Sequence, residues 1–347
     1  MQVPRQRKNA FCVAGCDKED IIMGHNDIGN GLIVINILKY KSFKNYVCGF
    51  VLGLAVLLCP LASGVAAEIG PQTIIEKAEV RPALWKIDSA KSDIYLFGSV
   101  HMLRSGVDWY RSSLRKAFST ADMLVMETVI DEGAQREIRH FIAAHGLYPA
   151  GETLQRNISS DLFAEVVSMA EGHGIPGAAI NALRPWYVSM LLSVQAVQKL
   201  GLSQNNGVEA VLMKEARQAQ KGLRGLERPL QQMQAMSNYA PAVQEEMLKD
   251  TLAQLGDIDN VVDRMEAAWG SGDLRRIEDV ILKPMQEQRR VYQVLLVDRN
   301  RAWVEQIEEL IQNGAHAFVV VGAAHLAGED SLIEMLRHRG HHIRRVP

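Results

Sequence analysis

Cysteine is scarce in this chain of 347 residues, and its four cysteines all lie before residue 60. The rest of the chain can therefore form neither a disulfide nor a cysteine-ligated metal site. An excess of charge of one sign is also absent, since 38 Lys+Arg stand against 40 Asp+Glu and the formal net charge is −2. This balance argues against bulk nucleic-acid binding, which usually needs a basic surface. A charged fraction of 22% argues against both a disordered chain and a polytopic membrane protein.

The apolar run near the N-terminus is short. It covers residues 46–58 and follows three lysines between residues 39 and 44, whereas a membrane-spanning helix needs about 20 apolar residues. Small residues up to Ala67 come next, and the whole pattern is typical of a secretory signal at 39–67 that is cleaved after Ala67. An uncleaved signal would instead anchor the protein in a membrane.

Residues 1–38 precede this signal and are expected to be an upstream extension that arises from a misassigned start codon. A metal site made of Cys12, Cys16 and His25 is the alternative, but no regular ligand spacing supports it. The mature protein would then be a cysteine-free chain at 68–347, located in the periplasm or secreted. Any metal site in it must use histidine and carboxylate ligands.

Short apolar runs rich in β-branched residues at 94–97, 123–126 and 317–321 predict strands that are buried on both faces of a sheet. The segment at 83–87 is expected to form a hairpin with 94–97. The predicted strands are at 83–87, 94–97, 123–126, 222–227, 317–321 and 342–346.

Residues 131–315 are rich in Leu, Ala, Gln and Glu, and their apolar residues recur with the 3.6-residue period of a helix. We therefore expect one α/β domain over 68–347, with a central sheet built from the N- and C-terminal parts of the mature chain and a large, mostly helical insertion at about 131–315. Helices are expected at about 108–119, 133–145, 159–173, 185–200, 205–220, 229–238, 241–255, 258–270, 274–283, 285–313 and 329–339.

Two predicted strand ends carry the same pattern, Gly-x-x-His. Gly98 and His101 follow one buried strand, and Gly322 and His325 follow another. Open α/β sheets bind ligands at the carboxyl ends of their strands, so two such loops on neighbouring strands could direct both imidazoles into one pocket. A single Gly-x-x-His arises often by chance and then marks a structural histidine, but two at strand ends indicate a site.

Glu127 ends a third buried strand in the same manner. Two histidines and one carboxylate are a familiar ligand set for a divalent transition metal with open positions. His101, His325 and Glu127 are therefore candidate ligands of Mn, Co or Zn. If Glu127 is not a ligand, it could serve as general base toward the metal-bound water. Without a metal, His101 or His325 could act directly as the base.

The chain resembles the TraB/PrgY/GumN family, and most closely its GumN-like branch of secreted bacterial proteins. The resemblance covers nearly all of 80–347, and the landmarks keep their order. They are ALWKI at 83–87, YLFGSVH at 95–101, Glu127, LRPW at 183–186, GVE at 207–209, GLE at 225–227, QQ at 231–232, RNRAW at 299–303 and FVVVGAAHLAGED at 318–330.

This family is related to the Tiki metalloproteases, which need paired Gly-x-x-His motifs and a glutamate, and more remotely to erythromycin esterase and to haem-binding ChaN proteins. The resemblance implies that His101 and His325 are metal ligands or catalytic histidines and that Glu127 is their acidic partner. It further implies that Arg299 and Asn300 line the same cleft, where either could stabilise an oxyanion.

Three further residues have a functional and a structural interpretation. Glu209 stands where the GumN-like branch commonly has Asp, and its position near the end of an element favours a helix cap or a solvated charge over a site residue. Glu227 is equally a site carboxylate or a surface charge. Arg184 could hold a substrate carboxylate, but its position before a helix start favours a structural salt bridge.

Three functions remain open from the sequence. The first is a metal-dependent, peptidase-like hydrolase, and the second is a metal-independent, esterase-like hydrolase with His101 or His325 as base. The third is a non-catalytic binding protein for a peptide, a signal molecule or haem. In each case the expected partner is a peptide or small molecule and not nucleic acid, with membrane contact only through an uncleaved signal.

Overall fold

The computed structural model describes residues 80–287 and 289–347. The predicted upstream extension at 1–38, the predicted signal at 39–67 and all four cysteines lie outside the described residues. No helix within the described residues is long and apolar enough to cross a membrane.

The strands of the described chain form one six-stranded mixed sheet and one short two-stranded ribbon. The large sheet has the order β6-β4-β7-β2-β1-β8, and the ribbon pairs β3 with β5. The strands are β1 Leu84–Asp88, β2 Asp93–Ser99, β3 Leu103–Arg104, β4 Met123–Met126, β5 Leu202–Ser203, β6 Gly222–Gly225, β7 His316–Gly322 and β8 His342–Val346.

β7 lies in the interior of the sheet, with a parallel neighbour on each side. Gly98 of β2 pairs with Val321, and Met126 of β4 pairs with Val320. β6 continues the parallel array beyond β4, whereas β1 is antiparallel to both β2 and β8. Four parallel strands therefore end at the same edge of the sheet.

Both faces of the central strands are covered. Phe318 and Val320 pack into one hydrophobic cluster, and Val319 and Val321 pack into another on the opposite face. This alternation follows from the two-residue period of a strand, and it explains why these strands are continuous apolar runs in the sequence. Apart from β6, which lies in the middle, the sheet comes from both ends of the described chain. The helices come mostly from between these ends, and the predicted α/β fold is confirmed.

Helices fill most of the chain between β4 and β7, and within the described residues one more α-helix precedes β4 and another follows β7. They are α1 Ser112–Thr120, α2 Glu132–His145, α3 Leu154–Asn157, α4 Ser160–Gly172, α5 Gly177–Ile180, α6 Pro185–Lys199, α7 Val208–Gln218, α8 Gln231–Ser237, α9 Pro241–Leu255, α10 Ile258–Ser271, α11 Leu274–Ile277, α12 Lys283–Gln286, α13 Arg289–Tyr292, α14 Asp298–Gln312 and α15 Leu332–His338. Two 3₁₀ turns occur at Gln204–Asn206 and Ala323–Leu326.

The continuous helix expected over 285–313 is interrupted. A π-helical segment at Gln293–Val297 precedes α14, and a second one at Glu278–Leu282 follows α11. A π segment holds one more residue per hydrogen-bonded turn than an α-helix does, and such segments occur frequently at functional sites. The segment at Gln293–Val297 ends two residues before Arg299.

Candidate active site

The ends of the four parallel strands bring the candidate residues to one edge of the sheet. His101 lies two residues beyond the end of β2, and Glu127 directly follows β4. Glu227 lies two residues beyond the end of β6, and His325 lies three residues beyond the end of β7. Residues that are far apart in the sequence therefore meet at the carboxyl edge, where such sheets bind ligands.

The two Gly-x-x-His loops pack directly against each other. A Cβ atom on Gly98 would lie 3.0 Å from the Cα atom of Ala323, so glycine favours this close approach of the two backbones. The indole Nε1 of Trp269 donates a hydrogen bond to the carbonyl oxygen of Gly98 at 2.8 Å, which fixes the end of β2 from the helical side.

Arg299 connects Glu127, Glu227 and His325 into one hydrogen-bonded cluster. Its Nε and Nη2 donate to the two carboxylate oxygens of Glu227 at 3.0 and 2.8 Å, and Nη2 also donates to Oε2 of Glu127 at 2.5 Å. Its Nη1 donates to the carbonyl oxygen of Leu295 at 3.0 Å and to Nε2 of His325 at 3.2 Å. These contacts engage all five N–H donors of the guanidinium.

Glu127 is a buried carboxylate that remains charged. Its Oε1 accepts a hydrogen bond from the backbone N–H of Gly322 at 2.6 Å, and its Oε2 accepts the bond from Arg299. Burial by itself raises the pKa of the carboxyl, but the Arg299 guanidinium and the nearby histidines outweigh burial and lower the pKa of Glu127 to about 2. Such a weak base is poorly suited to accept a proton at neutral pH.

His325 is a buried, neutral imidazole. The amide nitrogen of Asn300 donates to the carbonyl oxygen of Asp330 at 2.7 Å, so the amide oxygen of Asn300 is the group that lies 2.6 Å from Nδ1 of His325. Nδ1 therefore carries the proton, and Nε2 accepts from Arg299. Burial and then the Arg299 charge lower the pKa of His325 to about 3.

His101 has the opposite electrostatic environment. Its Nδ1 lies 2.8 Å from Oε1 of Glu209, and its side chain is 14% exposed against 6% for His325. Burial by itself lowers the pKa of His101, but the carboxylates of Glu209 and Glu127 outweigh burial and raise it above its usual value. Two histidines at one site with pKa values moved in opposite directions are suited to different roles.

The start of α7 holds Glu209 against His101. The backbone N–H of Val208 donates to the carbonyl oxygen of Val100 at 3.1 Å, which ties the helix start to the loop that follows β2. A Cβ atom on Gly207 would lie only 1.9 Å from the carbonyl oxygen of His101. Only glycine fits there, and it allows Glu209, in the first turn of α7, to reach the imidazole.

The predicted metal ligands do not fit a shared metal ion in this arrangement. Nε2 of His325 lies 3.8 Å from Oε1 of Glu127, but the Arg299 guanidinium donates to both side chains. A cation bound to both would therefore have to displace Arg299. Within residues 80–287 and 289–347, no three His, Cys, Asp or Glu side chains are grouped as ligands of one metal.

The remaining predicted residues divide between the cluster and its surroundings. Glu227 belongs to the cluster through Arg299. Asn300 acts on the cluster through His325, and both of its polar groups are already engaged. Arg184 lies outside the cluster, because its guanidinium donates to the carbonyl oxygen of Leu147 and stacks over the ring of Tyr148.

Two contributors to the cluster were not among the candidates. Gln232 donates from Nε2 to Oε1 of Glu227 at 2.5 Å, and the hydroxyl of Ser99 donates to Oε1 of Glu209. Ser99 lies within the first Gly-x-x-His motif, and Gln232 lies within the Gln-Gln landmark at 231–232. Both residues therefore belong to segments that the sequence analysis had already identified.

A cavity of about 680 Å³ lies beside β1 and β8 and not at this cluster. Its lining includes Leu84, Trp109, Arg111 and Arg345, and it includes none of the candidate site residues. The candidate site is therefore identified from the contacts between its side chains, and this cavity is a separate feature of the structure.

Comparisons with known proteins agree with the order of the landmarks. A family model described as "TraB/PrgY/gumN family" matches residues 83–345. The chain is 28% identical over 243 residues to "Uncharacterized protein YbaP" of Escherichia coli (strain K12). The aligned region covers 70% of this chain and 87% of that protein. The protein of the same name from Shigella flexneri matches with the same values. No solved structure matches the chain.

Proposed function

The chain belongs to the TraB/PrgY/gumN family, and from the geometry of its strand-end cluster we propose that it is a hydrolase whose general base is His101. The proposed substrate is a peptide or a small molecule with a scissile amide or ester bond. This corresponds to the metal-independent alternative that the sequence left open.

One contact carries the proposal, namely the 2.8 Å approach of Nδ1 of His101 to the carboxylate of Glu209. A carboxylate beside one imidazole nitrogen leaves the lone pair on the other nitrogen, which is the arrangement of a histidine base in hydrolytic triads. His101 is also the best base of the three candidates. The lone pair of His325 already accepts from Arg299, and the pKa of Glu127 is about 2.

The proposed reaction needs only water as its second reactant. Nε2 of His101 takes a proton from water while the water oxygen forms a bond to the carbonyl carbon of the substrate. When the C–N or C–O bond of the substrate breaks, the imidazolium returns that proton to the leaving group. The raised pKa of His101 favours the protonated form that this second step uses.

The residues around Arg299 lie next to the proposed base, but Arg299 has no unengaged N–H group that could bind the substrate. With all five of its N–H groups engaged, Arg299 can stabilise an oxyanion only if it exchanges one present partner for the substrate, and Asn300 is in the same position. We propose that both residues hold Glu127, Glu227 and His325 in place.

The metal-dependent hydrolase is the second candidate. A divalent ion such as Mn, Co or Zn would supply a polarised carbonyl and a water of lowered pKa. Nε2 of His325 could bind such an ion only if Arg299 no longer donated a hydrogen bond to it. Because the metal-free reaction needs no such rearrangement, it is the simpler proposal. The excess of carboxylates over cations in the cluster is the observation that favours a cation.

We also propose that the protein is exported to the periplasm or secreted, on the strength of the lysines and the apolar run at 39–67. Fractionation of cells that express the full gene, with mass spectrometry of the mature N-terminus, tests this proposal. An N-terminus at Glu68 in the periplasmic or secreted fraction supports it, and an intact N-terminus in the cytoplasm refutes it.

The test of the hydrolase compares wild type, His101→Gln and the exposed control His140→Gln, each as the full chain. A synthetic peptide mixture and p-nitrophenyl acetate serve as probes, with and without EDTA, and products are followed by mass spectrometry and absorbance. We expect His101→Gln to lower the rate by roughly 10²–10⁴-fold, while His140→Gln and EDTA leave it unchanged.

Two other outcomes would overturn the proposal. Activity that EDTA abolishes and Mn²⁺, Co²⁺ or Zn²⁺ restores would establish the metal-dependent reaction instead. Peptides that bind to wild type but are recovered intact, together with an unchanged ester, would indicate a binding protein without turnover.

A further inference from the structure

Oε1 of Glu209 receives two donors, one from the loop that follows β2 and one from the last residue of that strand. One is Nδ1 of His101 at 2.8 Å, and the other is the hydroxyl of Ser99. We infer that Glu209 is a positioning residue that fixes His101 as the tautomer with its proton on Nδ1 and its lone pair on Nε2. The inference rests on the proposed role of His101 as the base.

The chemistry of the two groups determines the tautomer. An ionised carboxylate can only accept hydrogen bonds, and a neutral imidazole has one donor nitrogen and one acceptor nitrogen. The nitrogen that faces Glu209 must therefore be the donor. Without Glu209, both tautomers become accessible, and the form with its proton on Nε2 cannot take a proton from water at that nitrogen.

A helix-capping role does not explain this side chain. α7 has Gly207 as its N-cap residue, and no side chain makes a capping hydrogen bond there. Oε2 of Glu209 is buried and has no hydrogen-bond partner among the described residues. A buried acceptor without a partner costs free energy, so stability alone does not account for a carboxylate at this position.

The backbone is shaped to hold this pair together. Gly207 allows the start of α7 to approach the carbonyl oxygen of His101 more closely than any other residue would permit. Val208 adds a hydrogen bond to the carbonyl oxygen of Val100. The carboxylate and the imidazole therefore sit on two backbone segments that are locked to each other.

The length of the side chain provides a sharp control. Asp at position 209 would keep the negative charge, and it would keep the favourable place of an acid in the first turn of a helix. It would be shorter by one carbon–carbon bond, about 1.5 Å, which takes its oxygens beyond hydrogen-bond reach of His101. Glu209→Asp thus separates the positioning role from the charge and from the helix.

The experiment records the ¹⁵N spectrum of the full chain labelled on histidine, at an alkaline pH where His101 is neutral. The signals of His101 are assigned by their loss in His101→Gln. We expect wild type to show a protonated Nδ1 and an unprotonated Nε2. Glu209→Asp and Glu209→Ala should show a mixture of tautomers or the reversed one, while circular dichroism confirms their folding.

Turnover gives a second reading that a purely structural role would not produce. On whichever probe the wild type hydrolyses, Glu209→Asp should lower kcat by at least about 10-fold with little change in KM, since a misplaced proton affects the chemical step. Ser99→Ala keeps the Glu209–His101 contact and should retain the wild-type tautomer.

The inference fails if wild-type His101 already carries its proton on Nε2, a result that needs no variant to fold. It also fails if folded Glu209→Asp and Glu209→Ala keep the wild-type tautomer. Because the tautomer is read without turnover, a correct tautomer in a protein that hydrolyses nothing would refute the hydrolase proposal and leave the positioning role standing.

Discussion

Arg299 is the residue on which the charge balance of the site depends. Its guanidinium holds the carboxylates of Glu127 and Glu227, both of which are about 95% buried, and it occupies the lone pair of His325. A buried carboxylate that loses its partner retains the full cost of its desolvation. Removing Arg299 would therefore leave two such groups uncompensated at once.

We predict that Arg299→Met destabilises the protein by about 3–5 kcal/mol, the range for breaking a buried ion pair. Arg224→Met is the matched control, because Arg224 pairs with Glu309 in a partly exposed bridge and such pairs contribute about 0–1 kcal/mol. Urea unfolding followed by circular dichroism measures both variants. Equal, small losses would show that the buried cluster does not depend on Arg299.

At the scale of single residues, the sequence indicated which side chains to examine but not how they pair. His101, His325 and Glu127 stood out because each follows a buried apolar run. The partner of His101 could not be identified in the same way, since an acid in the first turn of a helix is already explained by the helix dipole. Only the close approach at Gly207 reveals that Glu209 reaches the imidazole.

Among the elements, α7 is held closely against the loop after β2. Its first residue follows a glycine whose missing Cβ makes room for the carbonyl oxygen of His101. Any larger residue must push α7 away from the loop after β2 and carry Glu209 with it. Such a shift would lengthen the 2.8 Å contact between Glu209 and His101.

We expect Gly207→Ala to abolish the His101–Glu209 contact, and with it most of the hydrolytic activity, while a folded protein remains. Gly172→Ala is the control, because Gly172 ends α4 and a Cβ there would meet nothing within 4 Å. Rates on the probe substrate and thermal melting of both variants test this. Wild-type activity in Gly207→Ala would show that the approach of α7 is not required.

The π segment at Gln293–Val297 is a feature that the sequence did not predict. The apolar periodicity of 285–313 fits one long helix, and an added residue in one turn leaves almost no trace in composition. In the structure, the carbonyl oxygen of Leu295 lies within that segment and accepts from the side chain of Arg299. The register that directs Arg299 into the cluster is thus a tertiary effect.

For the molecule as a whole, the fold class followed from the sequence because strands buried on both faces are continuous apolar runs and the long middle part is periodic. The strand order did not follow. The placement of β6 beside β4 and of β7 between β4 and β2 depends on contacts between residues that are far apart in the chain, and no local pattern encodes these contacts.

The free energy of unfolding should depend on pH through the protonation of His325. Its pKa is lowered to about 3 in the folded protein from an ordinary 6.5, so the unfolded chain binds a proton that the folded chain does not. Stability is therefore complete above pH 6.5 and falls as the pH drops toward 3. Between pH 6.5 and 4.5 we expect wild type to lose about 2 kcal/mol more than His325→Gln.

Urea unfolding at several pH values in this window provides the measurement. The difference between the two proteins isolates His325, because all other titrating groups are common to both. The carboxyl of Glu127, with its pKa lowered to about 2, adds its own loss only below its ordinary value of 4.5. Parallel stability curves for the two proteins would show that His325 is not held neutral by the fold.

The pairing of β2 with β7 also has a consequence for biosynthesis. β1 can cover one edge of β2 as soon as the hairpin emerges from the ribosome, but the other edge must wait for a partner that lies more than 200 residues later in the chain. Until then, a strand with Ile94, Leu96 and Phe97 presents unpaired backbone groups, which is the situation that invites edge-to-edge aggregation. Contacts of such long sequence separation also form slowly. The strand that leads to His101 therefore depends on protection, for example by chaperones, until β7 has been synthesised.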